Sequence, residues 1–161
     1  MRKQIYNDLC ERLKAINDGE VKIKHIDLWN RNVEFIEQED GWERPAVFIE
    51  FGTIQWQPLV RGVSQKGDGT IRIHVVTDWK GSTAEDSENK EAALAYLDFS
   101  GKIQNVIQGL HGDGYYGVNL LETLTNHDHE EIIESIDIYK YRCTRTLEQS
   151  PARDKYTFLE P

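Results

Sequence analysis

Ala46-Val47-Phe48-Ile49-Glu50-Phe51, continued by Thr53-Ile54-Gln55-Trp56, decides the fold. β-branched and aromatic residues dominate the run, and apolar side chains occupy both parities. It therefore reads as a central strand buried on two faces. Forward of it, residues 58–69 are a connection in which Lys66-Gly67-Asp68-Gly69 has the composition of a turn. Residues 70–78 read as the return strand, with Ile71, Ile73 and Val75 alternating against Arg72 and His74. The two runs predict a long antiparallel hairpin with a polar tip.

Outward from the hairpin, the periodicity changes. Ile5, Leu9, Leu13 and Ile16 recur at helical spacing, which predicts a helix over roughly 2–17 that stops at Asn17-Asp18-Gly19. Residues 21–29 read as a strand whose parity switches near His25, and 30–45 as an acidic loop or weak edge hairpin. Residues 79–90 are polar and predict a loop. A second helix follows over about 88–110, striped by Leu94, Leu97, Ile103, Ile107 and Leu110. Two further strands are expected over about 118–126 and 134–147. Strands in adjacent pairs with two helices predict an α+β fold: a mixed, mostly antiparallel sheet of four to five strands, in the order α-β-ββ-α-ββ. One domain over 1–147 and a C-terminal tail over 148–161 are expected.

The 161 residues carry a formal net charge of -9, from 19 Lys+Arg against 28 Asp+Glu. No run of basic residues stands out, so a specific grip on nucleic acid or an anionic membrane is not expected. No apolar stretch approaches the ~20 residues that span a bilayer. The two cysteines, Cys10 and Cys143, form no CxxC pair and read as reduced, cytoplasmic core residues.

Three motifs suggest chemistry. Gly112-Asp113-Gly114-Tyr115-Tyr116-Gly117 is a literal GxGxxG. A dinucleotide site needs it between a strand and a following helix, and here a helix precedes and a strand follows. His127-Asp128-His129-Glu130-Glu131 resembles metal ligands but lies where a turn is expected, with no distal partner identifiable. Asp78-Trp79-Lys80, with Asp68 ten residues earlier, has the form of a metal-dependent nuclease site. No nucleophile motif accompanies any of them. The expectation is a non-catalytic protein without cofactor or metal. Among the tryptophans, Trp56 reads as core and Trp42 as an interface anchor.

The order of elements resembles the tail-terminator (tail-completion, head–tail joining) proteins of tailed bacteriophages. Four features carry the resemblance across Met1 to about Leu147. They are the opening amphipathic helix and the proline-led strand Arg44-Pro45-Ala46-Val47-Phe48-Ile49. They continue with Gly69-Thr70-Ile71-Arg72-Ile73-His74-Val75 followed by an Ala/Leu-rich helix, and end with the aromatic–charged strand Ile138 to Thr146. The resemblance implies a ring, a hexamer on assembly, that caps the tail tube and docks on the head. Its partners would be copies of itself, the tail tube protein and the head connector protein. It would assemble in the bacterial host cytoplasm and end in the virion. It also implies that the tip at Leu59–Gly69 and the loop Lys80–Asn89 are assembly elements. The candidate interface residues are then Trp42, Leu59, Val60, Arg61, Val63 and Trp79, with Tyr156 and Phe158 on the tail as an interaction arm. Two readings stand beside it: a metal-dependent, nuclease-like or other metal-binding enzyme, and a non-viral adaptor domain.

Overall fold

The computed structural model describes residues 1–16, 22–34, 41–60, 62–126 and 128–147. The elements are α1 (Arg2–Lys14), β1 (His25–Leu28), β2 (Ala46–Val60), β3 (Ser64–Asp78), α2 (Lys90–Ile107), β4 (Tyr115–Asn126) and β5 (Ile132–Thr146). This is the expected α+β fold. One five-stranded sheet has the order β1-β2-β3-β5-β4. β1 runs parallel to β2, and the other three pairings are antiparallel.

Both helices pack on one face of the sheet. Ile5, Leu9 and Leu13 of α1 and Phe99, Ile103 and Ile107 of α2 meet Val47 and Ile49 of β2, Ile71, Ile73 and Val75 of β3, and Tyr139, Tyr141 and Cys143 of β5. The period of 3.6 on the helices and 2 on the strands brings these side chains to one layer. The opposite face carries a smaller core. There Ala46, Phe48, Val76 and Ile132 are covered by Val33, Trp29 and Trp42 from the segment around β1. This second cover explains why Ala46–Ile49 does not alternate: all four residues are buried, two toward each core.

β1 pairs only with Ala46–Ile49, so the rest of β2 runs on as a sheet edge. There Arg2 of α1 donates to the Gly52 carbonyl at 2.7 Å and lies over the Phe51 ring, while Ile54, Trp56, Tyr141 and Cys143 still pack on the helix-face core. β4 flanks β5 as far as Tyr115↔Cys143, and beyond it β2, β3 and β5 continue as a three-stranded tongue to Ser64↔Thr146.

The turn expected at Lys66–Gly69 is not a turn. Those residues lie inside β3, paired with Ile54–Gln57 on one side and Tyr141–Thr144 on the other, and the strands meet at Val60↔Ser64. The reason is packing. A Cβ on Gly69 would fall 2.4 Å from the Tyr141 ring, and one on Gly67 would fall 2.8 Å from Ile54 and 2.9 Å from Trp56. These glycines admit large neighbours rather than reverse the chain.

Candidate assembly surfaces

The tip of the tongue is built by a short reversal in which Val63 N–H donates to the Val60 carbonyl at 2.9 Å and Gly62 takes φ 73°. Leu147 N–H donates to the Val63 carbonyl at 2.7 Å, tying the end of β5 to the tip. Leu59, Val60 and Val63 are exposed, Leu59 by 58%. An expected candidate, Arg61, lies between them and outside the described residues. Below the tip, Arg145 lies 4.2 Å over the Trp56 ring and donates twice to Gln65 Oε1. Trp56 is half-buried against the helix-face core, where the sequence placed it. The tongue is thus internally braced and ends in aliphatic side chains that the described residues leave exposed.

Neither sheet edge offers a regular ladder. β2 carries Pro58 and register shifts at Phe51/Ile54 and Pro58/Val60. β4 has shifts at Tyr116/Asn119 and Leu120/Glu122. Proline and bulges blunt an edge against strand addition, so association falls to side-chain surfaces.

The other candidates separate. Trp79 is 48% exposed and stands at the far end of β3, its N–H donating to the Glu131 carbonyl at 2.9 Å. With Tyr96, Thr125, Glu130 and Ile133 it lines a hollow of about 270 Å³ beside the β4–β5 turn. Trp42 is half-buried, edge-on to Phe48 at 4.9 Å with Arg44 5.9 Å over its ring. Tyr156 and Phe158, like the whole tail from 148, lie outside the described residues. In the loop Lys80–Asn89, Lys90 Nζ reaches Glu85 at 2.5 Å and Asn89 donates to the Lys80 carbonyl.

The motifs that suggest chemistry are also placed. Asp68 and Asp78 sit ten residues apart on one strand, about 33 Å at the rise of a strand, and cannot share an ion. Asp78 pairs with Arg44, and Asp68 lies 3.8 Å from Arg142. His127 lies outside the described residues, while Asp128, His129 and Glu130 belong to the β4–β5 turn. Among the described residues no group of three His, Cys, Asp or Glu is placed to hold a metal ion. Gly112–Gly114 lies in the turn between α2 and β4 and Tyr115–Gly117 opens β4, with Gly112 and Tyr115 exchanging backbone hydrogen bonds.

One polar cluster was not visible in the sequence. On the face away from the helices, His74 is buried between two carboxylates: Nδ1 lies 2.7 Å from Glu134 and Nε2 3.2 Å from Glu50. Trp29 stacks on the imidazole at 3.9 Å, Asn126 donates to Glu134 at 2.7 Å, and Arg72 donates to Glu50. Burial alone would raise the Glu134 carboxyl, but the hydrogen bonds from His74 and Asn126 hold it below the usual carboxylate range. The cluster contains no nucleophile, and Trp29 closes it, so it orders the segment around β1 on the sheet. Register could have suggested it, since His74 faces Phe48 on β2 and Ile136 on β5, but no sequence spacing links residues 29, 50, 74 and 134.

No family model matches this chain, and no curated protein matches it. Among solved structures, the fold is similar to that of a chain in the virion of a native gene transfer agent (GTA) particle. The likeness covers 88% of this chain and 95% of that one, with 12% sequence identity and a TM-score of 0.50. No described helix is long and apolar enough to cross a membrane.

Proposed function

We propose that this chain is a structural protein of a phage or phage-like virion that closes the tail tube and joins it to the head, acting through assembly rather than catalysis. The observation that carries this reading is the tongue. Three strands leave the helix-covered body and present uncovered Leu59, Val60 and Val63 at their end. A monomer that worked alone would gain nothing from aliphatic side chains at the tip of a stiff projection. Braced by Arg145 and Trp56, the tip pays little ordering entropy on docking. The fold's likeness to a virion chain supports the same reading. On it, copies close into a ring through a heterologous contact, the hexamer that the tail-terminator resemblance implies. Tail tube and head connector proteins meet its two sides.

The test is electron microscopy and light scattering of the purified chain, alone and with tail tubes of the phage or prophage that carries it. Rings at the tube end are expected. A chain that stays monomeric and leaves tube ends bare overturns the reading.

A further inference from the structure

The charges of the molecule are segregated along the sheet. Residues 53–70 and 138–147, the sheet end that carries the tongue, hold four described cations (Lys66, Lys140, Arg142 and Arg145) against one acid, Asp68. That is a net charge of +3 on a chain whose total is -9. No basic run exists in the sequence. β3 and β5 gather the cations by register, with Lys66 opposite Thr144, Asp68 opposite Arg142 and Thr70 opposite Lys140.

At the opposite end Arg44 and Lys80 lie against Asp78, and residues 127–131 hold three acids and no Lys or Arg. Asp128, Glu130 and Glu131 are exposed in the β4–β5 turn, and Leu124 is exposed on β4 leading to it. There too lies the hollow of about 270 Å³ walled by Trp79, Tyr96, Ile132 and Ile133, with Glu130 at its rim. β3 starts beside the tip and ends beside the hollow, so the two surfaces are about 45 Å apart on one molecule.

From this complementarity we infer that the tongue of one copy docks at the β4–β5 end of a second copy, with Leu59 or Val60 in the aromatic hollow and Lys66 and Lys140 facing Glu130 and Glu131. The inference rests on the assembly reading above and names the surfaces that carry it. The contact is heterologous, head to tail, because donor and acceptor lie at opposite ends of one chain. Aliphatic burial supplies affinity, and the segregated charge orients the encounter and rejects tip-to-tip and end-to-end contacts. Double-stranded DNA is the competing occupant of a basic surface. The observations favour a second copy, since an apolar tip has no use on a phosphate backbone.

The test uses two charge reversals in the full chain: Lys66→Glu with Lys140→Glu on the tongue, and Glu130→Lys with Glu131→Lys at the hollow. All four side chains are exposed, and matching thermal melts establish that the variants fold. In sedimentation velocity, each reversal alone is expected to raise the self-association constant for dissociation at least about tenfold. Mixing the two variants restores association, because each reversed tongue then meets a reversed hollow. Leu59→Asp abolishes it in every mixture. Reversals that leave association unchanged overturn the docking inference while the assembly reading stands. A wild-type chain that is monomeric at millimolar concentration also overturns self-docking, and binding to tail tubes then decides the assembly reading separately. Loss of binding to a DNA duplex in the tongue variant, with self-association unaffected, assigns the basic surface to phosphate and likewise overturns the inference.

Discussion

Gly69 and Asp137 show how much of the molecule turns on single side chains. A β-carbon at Gly69 meets the ring of buried Tyr141, which has no open space to swing into. Gly69→Ala is expected to destabilise by about 1–3 kcal/mol, read as a lower denaturation midpoint at unchanged slope. Gly67 and Gly69 look like turn residues in the sequence because glycine serves both turns and close packing, and only the partner strand tells the two apart. Asp137 is fully buried, with Oδ1 accepting from Gln104 at 3.0 Å and Thr123 at 2.7 Å, while Oδ2 has no hydrogen-bond partner among the described residues. Burial raises its carboxyl, and these two hydrogen bonds offset that only in part. A raised folded-state value means that stability falls as pH climbs from the unfolded carboxylate value, 3.8, toward the folded one. Asp137→Asn is therefore expected to add about 1 kcal/mol at neutral pH and to erase that slope. Glu134 has the opposite sign. Its depressed carboxyl stabilises fully above the ordinary value of 4.5 and loses that contribution as pH falls below it. Thermal melts of wild type, Asp137→Asn and Glu134→Gln from pH 3 to pH 7 on the order of one-unit steps separate the two slopes.

At the scale of elements, the amphipathic periods of α1 and α2 and the β-branched runs of β2, β3 and β5 were legible because each buries one face against one layer. α2 was read as longer than it is. The backbone leaves the helix at Gln108, and Gly109 N–H donates to the Val118 carbonyl of β4 instead. β1 was read over nine residues and spans four, His25–Leu28, because its partner edge on β2 is shared only over Ala46–Ile49. The tongue is the element on which function rests. Its tip residues touch nothing that folding requires, so Leu59→Asp and Val60→Asp are expected to change thermal stability by less than about 0.5 kcal/mol while removing self-association. A large loss of stability in these variants would show that the tip serves the fold instead.

For the whole molecule, two cores of unequal size share one sheet. Among the described residues the helix face buries nineteen in one cluster and the other face five, so the described part of the segment carrying Trp29, Val33 and Trp42 has far less holding it. Its opening is expected at a lower free energy than global unfolding. Trp29→Ala removes the stack on His74 and uncovers its contacts with Glu50 and Glu134. Hydrogen exchange should then quicken across residues 22–34 and 41–45 while α1 and α2 stay protected; uniform loss of protection would mean that the two cores open as one.

The sequence by itself determined the α+β class, the order of elements and the helix-face core, because periods of 3.6 and 2 are local consequences of backbone geometry. It also ruled the GxGxxG out of dinucleotide binding by element order alone. Tertiary structure decided everything that depends on which strands become neighbours. It moved the end of the hairpin from Lys66–Gly69 to the pair Val60↔Ser64, joined His74 to Glu134, and separated Asp68 from Asp78 by most of a strand. It also brought Lys66, Lys140 and Arg142 together on β3 and β5 at one end of the sheet. Charge that looks dispersed along a chain becomes a patch only when register sets residues from β3 and β5 side by side, and register is a property of the pairing, not of either strand alone.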